Sequence, residues 1–127
     1  MRIALDTNTY CDAARGEGKA VTVLRSVEEI YLPFIVAAEL RAGFASGKAG
    51  RQNEAKLTAF LNSPRVSLLF ADEQTIHHYA TLFAMLRQQG TPIPTNDIWI
   101  AALALQHDLV LFSRDEHFTK LPQLARL

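Results

Sequence analysis

The N-terminal segment Arg2-Ile3-Ala4-Leu5-Asp6-Thr7-Asn8 decides how the rest of the chain is interpreted. Its continuous apolar run predicts a strand buried on both faces, and the polar residues that follow are typical of a helix cap. Asp6 therefore stands at the carboxyl end of the first predicted strand. Ligands of parallel α/β sheets bind at that end of the strands, so functional residues are sought there first.

Further apolar runs predict strands at residues 30–32, 66–70 and 109–112, with a weak fifth strand at 124–127. Helical spacing of apolar residues fills the intervals, at residues 19–29, 34–45, 51–62, 72–89 and 97–106, the last helix being capped by Thr95 or Asn96. Strands that alternate with helices predict an α/β fold. We expect a single domain, 1–127, whose central, mostly parallel sheet of four to five strands is flanked by helices on both faces.

Composition restricts the class of protein more than its function. Hydrophobic residues make up 49% of the 127 residues, which is ordinary for a globular domain. Thirteen basic and thirteen acidic residues cancel, so net charge neither supports nor excludes a nucleic-acid substrate. Cys11 is the only cysteine, which excludes an internal disulfide, and no apolar run approaches the roughly 18 residues that span a bilayer. We therefore expect a cytoplasmic protein without a membrane segment.

Three aspartates follow or precede predicted strands in positions that can meet. Asp6 ends the first strand, Asp115 follows the fourth, and Asp97 lies in the first turn of the helix before the fourth strand. If the first and fourth strands are neighbours, Asp6 and Asp115 face one crevice. Each aspartate alone is better explained as a helix cap or turn residue.

Glu39 is harder to explain as a structural residue. It interrupts the apolar helical stretch Phe34–Leu40 and shares a face with Ile35 and Val36, which predicts a buried carboxylate. Burial of an unpaired carboxylate costs several kcal/mol, so a cation is expected beside it. A bound metal ion and a distant Arg or Lys remain equal alternatives at this point.

Several carboxylates at one end of a sheet favour a hard divalent cation, Mg²⁺ or Mn²⁺. Zinc is not favoured, because His77 and His78 are adjacent on a helix and His107 and His117 are isolated in the sequence. No glycine-rich phosphate-binding loop is present, and Ser113 has no recognisable triad partners.

Four segments together resemble the motifs of PIN domains. They are Leu5-Asp6-Thr7-Asn8, Val36–Gly43 around Glu39, Asn96–Ala102 around Asp97, and Ser113–Phe118 around Asp115. They occur in the family's order across nearly the whole chain, and the last two are most similar to those of VapC toxins, the ribonucleases of type II toxin–antitoxin pairs.

The resemblance implies a metal-dependent ribonuclease that hydrolyses RNA phosphodiester bonds with Mg²⁺ or Mn²⁺. It implies an acidic site of Asp6, Glu39, Asp97 and Asp115, in which Asp6 and Asp97 are the first choices as direct ligands. Supporting or substrate-contacting roles fall on Thr7, Asn8, Asn96, Arg114 and Glu116, and Glu116 is an alternative to Asp115. Arg41 and Lys48 are further candidates for contacts with the RNA backbone. The implied partners are RNA, a cognate antitoxin and a second copy of the chain.

Two other functions compete with this interpretation. Phosphatases of the haloacid-dehalogenase type also begin with an aspartate after the first strand, but they need a second aspartate where this chain has Asn8. A PIN-fold module that binds RNA or a partner without cleaving is the other alternative. RNA cleavage by the purified protein in Mg²⁺ discriminates binding from catalysis, and a trapped aspartyl-phosphate would identify the phosphatase.

Overall fold

Short strands alternate with helices along the chain in a computed structural model that describes residues 1–127. In chain order the elements are β1 (Arg2–Leu5), α1 (Thr7–Ala14), α2 (Gly18–Ser26), β2 (Glu29–Pro33), α3 (Phe34–Ser46), α4 (Gly50–Leu61), β3 (Val66–Leu69), α5 (Glu73–Gln89), α6 (Thr95–Gln106) and β4 (Val110–Phe112). A 3-10 helix, Glu116–Lys120, follows β4. The predicted α/β alternation is confirmed.

The four strands form one parallel sheet in the order β3-β2-β1-β4. Ile3 pairs with Ile30 on one side and with Val110 on the other, so β1 lies between β2 and β4. The first two crossovers move the chain to one side of β1, and the third returns it to the opposite side. The crevice between the carboxyl ends of β1 and β4 is thus the switch point at which such sheets bind ligands.

Burial of β1 shows that both faces of the sheet are covered. Ile3, Ala4 and Leu5 point alternately to the two faces, and each is 0% exposed. The core extends from the sheet into α3 and α6, where Leu40 and Leu103 are almost fully buried. These two helices also contact each other, which brings their side chains to the same end of the sheet.

The predicted fifth strand does not form. Residues 124–127 return to the edge of β4, where Leu111 donates its N–H to Ala125 O and accepts from Leu127 N. Only one bridge results, between Leu111 and Arg126. β4 itself is three residues long, which limits the edge available for further pairing.

Two helix boundaries show how local sequence determines the elements. The Asp72 side chain caps α5 in a reciprocal bond pattern with Thr75, and Gly90 ends the helix with φ 71°, as Gly commonly does. The prediction of a Thr95 or Asn96 cap on α6 is wrong. Pro94 occupies that position, with its carbonyl accepting from Asp97 N and Ile98 N, and no side chain caps the helix. No helix is both long and apolar enough to cross a membrane.

Candidate active site

Asp6 is fixed where β1 ends and α1 begins. Its Oδ1 accepts a hydrogen bond from Thr9 N at 2.9 Å, which makes Asp6 the N-cap of α1. Its Oδ2 accepts from the Ser113 hydroxyl, and Ser113 Oγ in turn accepts from Asp115 N at 3.0 Å. Asp6 is only 4% exposed, so these bonds hold a buried carboxylate in one orientation. Ser113 joins the ends of β1 and β4 across the crevice.

Glu39 reaches the same end of the sheet from α3. Its Oε1 accepts a hydrogen bond from Thr7 Oγ1 at 2.9 Å, next in sequence to Asp6. The prediction that Glu39 is buried is wrong, because its side chain is exposed. The buried stripe of α3 runs through Val36, Ala37 and Leu40, and Glu39 lies roughly 100° from its centre at 3.6 residues per turn.

Asp97 is the third residue of α6 and is partly shielded, with a side chain 17% exposed. Burial raises the pKa of its carboxyl group above the ordinary value. The hydrogen bond from His117 lowers the pKa, whereas the charges of Asp115 and Glu39 raise it further, and the net direction is upward.

Asp115 and His117 complete the group after β4. Asp115 caps the 3-10 helix by accepting from His117 N at 2.9 Å. The imidazole Nδ1 of His117 lies 2.8 Å from Asp97 Oδ2 and 3.2 Å from Asp115 Oδ1. Asp97, Asp115 and His117 each offer one ligand atom, and these three atoms lie within 4.8 Å of one another.

No lysine or arginine forms an ion pair with Asp6, Glu39, Asp97 or Asp115. Arg114 is next to Asp115 in sequence, but its guanidinium pairs with Asp12, through Nε at 2.9 Å. Arg41 pairs with Glu54 at 2.8 Å instead of turning towards Glu39. The distant basic partner that was the alternative explanation for Glu39 is therefore absent.

The four carboxylates predicted from the sequence are hereafter the acidic group (Asp6, Glu39, Asp97, Asp115). Ser113 links Asp6 to the backbone of Asp115, and His117 links Asp115 to Asp97, whereas Glu39 hydrogen-bonds only to Thr7. The group of atoms within 4.8 Å of one another includes Asp97 and Asp115 but not Asp6 or Glu39. The other residues predicted for the site differ in whether they contact the acidic group. Thr7 contacts the acidic group directly, whereas the side chains of Asn8, Asn96 and Glu116 form no hydrogen bond with it. Asn8 and Glu116 are exposed.

Two side chains at this site were missed as participants by sequence reasoning. In the sequence, Ser113 lacks the partners of a nucleophile and His117 is an isolated histidine. One feature of the sequence points to both residues: Ser113 lies two residues before Asp115, and His117 lies two residues after it. Their contacts with Asp6 and Asp97 span 107 and 20 residues and depend on the tertiary fold.

The donor atoms suit a divalent cation. Carboxylate oxygens of Asp97 and Asp115 meet beside the His117 imidazole, and neither acid is paired with a lysine or arginine. Such oxygen-rich sets hold Mg²⁺ or Mn²⁺, and an imidazole nitrogen is a ligand for transition-metal dications.

Comparison with known proteins identifies the family. The family model described as the PIN domain matches residues 3–124. The chain belongs to the PIN-domain family. It is 33% identical over 131 aligned positions to Ribonuclease VapC1 of Haemophilus influenzae strain R2866, covering 98% of this chain and 95% of that relative. The resemblance predicted from the four motifs is confirmed, and among PIN domains this one belongs with the VapC ribonucleases.

Solved structures support the same placement of this PIN domain. It superimposes on VapBC2 from Rickettsia felis, solved bound to a DNA fragment from their promoter, with a TM-score of 0.90 at 27% identity, covering 100% of this chain and 98% of the other. VapBC-1 from nontypeable Haemophilus influenzae gives a TM-score of 0.86 at 29% identity, covering 100% and 97%. The fold class predicted from the sequence is confirmed.

Proposed function

We propose that this protein is a metal-dependent endoribonuclease that acts in the cytoplasm as the toxin of a VapBC-type toxin–antitoxin pair. The observation that carries the proposal is the acidic group: Asp97 and Asp115 meet beside His117, Ser113 joins Asp6 to the backbone of Asp115 at the switch point of the sheet, and no lysine or arginine pairs with any of the four acids. The names of the related ribonucleases supply the substrate class, RNA.

We assign Asp6 and Asp97 as direct ligands of Mg²⁺ or Mn²⁺, and Glu39 and Asp115 as ligands either directly or through water. When bound, the cation supplies positive charge for the scissile phosphate and lowers the pKa of a coordinated water. Carboxylates supply this site with the hard oxygen ligands that both ions accept.

The surrounding residues orient these carboxylates before any substrate arrives. Thr9 N and the Ser113 hydroxyl hold the two oxygens of Asp6, and the Thr7 hydroxyl holds Glu39. Because the orientation is made by bonds from rigid elements, little reorganisation is needed at the site when substrate binds.

Contacts with RNA fall on residues around the rim of the site. The Arg114 side chain is 65% exposed although it pairs with Asp12, so its remaining N–H groups can reach a phosphate of the RNA backbone. Asn8, Asn96 and Glu116 adjoin the acidic group in sequence and are our candidates for contacts with substrate or water. Lys48 forms no ion pair and is a further candidate for the backbone.

We further propose a homodimer bound by a cognate antitoxin. The related structures are named as VapBC assemblies, which supports the antitoxin partner. Helix α5 exposes the apolar side chains of Ile76 and Phe83, and Phe83 stacks on Tyr79. Exposed apolar side chains on one face of a helix can mark a protein interface, which supports association of the chain with another protein surface.

Cleavage and growth assays test the proposal together. Purified protein should cut RNA in Mg²⁺ or Mn²⁺ and fail to cut in excess EDTA. Expression without an antitoxin should arrest bacterial growth, and Asp6→Ala should relieve the arrest at equal soluble expression. Binding of RNA without cleavage in either metal would contradict the nuclease, whereas cleavage in vitro without growth arrest would contradict only the toxin role.

A further inference from the structure

Among the side chains that hydrogen-bond to the acidic group, His117 is the only one that is not a hydroxyl. Its Nδ1 lies 2.8 Å from Asp97 Oδ2 and 3.2 Å from Asp115 Oδ1, so the Nδ1 edge of the ring faces two acids. We propose that His117 is a nitrogen ligand of the bound cation, through Nδ1, and that it makes the site prefer Mn²⁺ over Mg²⁺. This inference rests on the proposed metal-dependent function and extends it to the choice of ion.

The spacing of the three donor atoms fits octahedral coordination. Ligands about 2.1 Å from a cation and at right angles to one another are about 3.0 Å apart. The separations of Nδ1 from the two carboxylate oxygens, 2.8 and 3.2 Å, bracket that value. A cation can therefore be reached by Nδ1 and both oxygens with only small side-chain shifts.

The tautomer needed for this role is available to the ring. A ligating Nδ1 must present its lone pair, so the proton of the neutral imidazole has to be on Nε2. The side chain of His117 is 48% exposed, and no protein acceptor binds Nε2. Water can therefore hydrate the Nε2 proton, which is one of the usual partners of a metal-ligating histidine.

The main chain that carries the His117 ring is anchored independently of the ring. His117 N donates to Asp115 Oδ1, in the first turn of the 3-10 helix, and Phe118 beside it is fully buried in the core. These contacts fix the backbone at residue 117 and do not involve the imidazole. Replacement of the His117 side chain should accordingly leave the fold intact.

The competing role for His117 is that of a hydrogen-bonding bridge that occupies the gap between two carboxylates and leaves when a cation enters. The two roles predict opposite effects of its removal. Loss of a ligand weakens Mn²⁺ binding, whereas loss of a competitor for the carboxylates leaves Mn²⁺ binding unchanged or strengthens it. Mg²⁺ prefers oxygen ligands, so a lost imidazole nitrogen should weaken Mg²⁺ binding less.

The experiment measures Mn²⁺ and Mg²⁺ affinity of the whole protein by calorimetry, and nitrogen coordination of Mn²⁺ by electron spin echo envelope modulation. The variants are His117→Ala and His117→Gln, with His77→Ala as the matched control, since His77 is exposed on α5. We expect ¹⁴N modulation from imidazole in the parent and in His77→Ala, and none in either His117 variant. Mn²⁺ affinity of both His117 variants should fall at least about tenfold, the loss that even outer-shell partners of a metal ligand cause, with a smaller fall for Mg²⁺.

Imidazole modulation that persists in His117→Ala, or an unchanged or higher Mn²⁺ affinity in both variants, would overturn the inference. Absence of imidazole modulation in a parent that binds Mn²⁺ would overturn it as well. Asp97→Asn separates this failure from failure of the proposed function. If Asp97→Asn binds both ions as tightly as the parent, the metal site itself is wrong, and if it loses them while His117→Ala does not, only the role of His117 is wrong.

Discussion

Asp12 and Asp97 have side chains with similarly small exposed fractions, but only Asp12 is paired with arginine. The side chain of Asp12 is 13% exposed and that of Asp97 is 17% exposed. Asp12 is paired with Arg114 at 2.9 Å and Arg15 at 2.6 Å, and chiefly the Arg114 hydrogen bond holds its pKa below the ordinary value. Asp97 has no arginine or lysine, and burial holds its pKa above the ordinary value.

The difference in arginine pairing separates a structural acid, Asp12, from an acid that has no lysine or arginine partner, Asp97. The Asp12 pair is complete within the chain and stabilises the contact between α1 and the loop after β4. The acidic group concentrates negative charge that the chain does not balance, a pattern more typical of binding sites than of structural ion pairs. The following predictions use Asp12 as the matched control.

The largest expected effect is on catalysis. Asp97→Asn should lower RNA cleavage about 100-fold or more, since loss of about 3 kcal/mol of transition-state stabilisation has that effect on rate. Asp12→Asn should retain cleavage within a few-fold, as assayed on the same RNA in Mn²⁺. Equal losses in the two variants, with both folded by circular dichroism, would contradict the distinction between the two aspartates.

A smaller effect is expected at Ser113, which positions Asp6. Ser113→Ala removes the hydroxyl that joins Asp6 to the backbone of Asp115, so Mn²⁺ affinity should fall roughly tenfold and cleavage should fall with it. Ser113→Thr keeps the hydroxyl and should recover most of the Mn²⁺ affinity in calorimetry. Failure of the threonine variant to bind better than the alanine variant would show that the hydroxyl has no positioning role.

The smallest effect concerns the pH dependence of stability at Asp12. Its folded pKa is lowered, so its charge contributes stability above the unfolded value of about 3.9 that is lost as pH falls through the lower folded value. Parent protein should be slightly more stable than Asp12→Asn at neutral pH, and the difference should shrink below about pH 4. Denaturant midpoints of the two proteins across this range measure it, and a difference that grows on acidification has the wrong sign.

Much of the fold could be predicted because its signals are local. Apolar runs such as Ile3–Leu5 identified all four strands, and Asp6 at the end of β1 identified the edge of the sheet that carries the site. The four family motifs, which occur in the family's order, identified the four acids that belong to the predicted site. The resemblance and the fold class needed no tertiary information beyond these patterns.

Other features could not be predicted because they depend on which elements meet. Glu39 is exposed because the core contacts a different face of α3. The apolar residues before Glu39 predicted a buried carboxylate, which is wrong. The approach of His117 to Asp97 depends on the packing of the 3-10 helix against α6. The site depends on the adjacency of β1 and β4, which is set by the strand order of the sheet and has no local signal in the sequence.

The central claim is that the acidic group is a cation site, and melting of Asp97→Asn against the parent tests it most directly. Because the folded pKa of Asp97 is raised, its charge opposes folding as pH rises from about 4 through the folded value. Near pH 7 in EDTA, Asp97→Asn should therefore melt at a higher temperature than the parent. In Mn²⁺ at a hundred times the dissociation constant, the parent gains about 2.7 kcal/mol that the variant lacks, and the order should reverse. The same order of melting temperatures in EDTA and in Mn²⁺ would show that the acidic group is not a cation site.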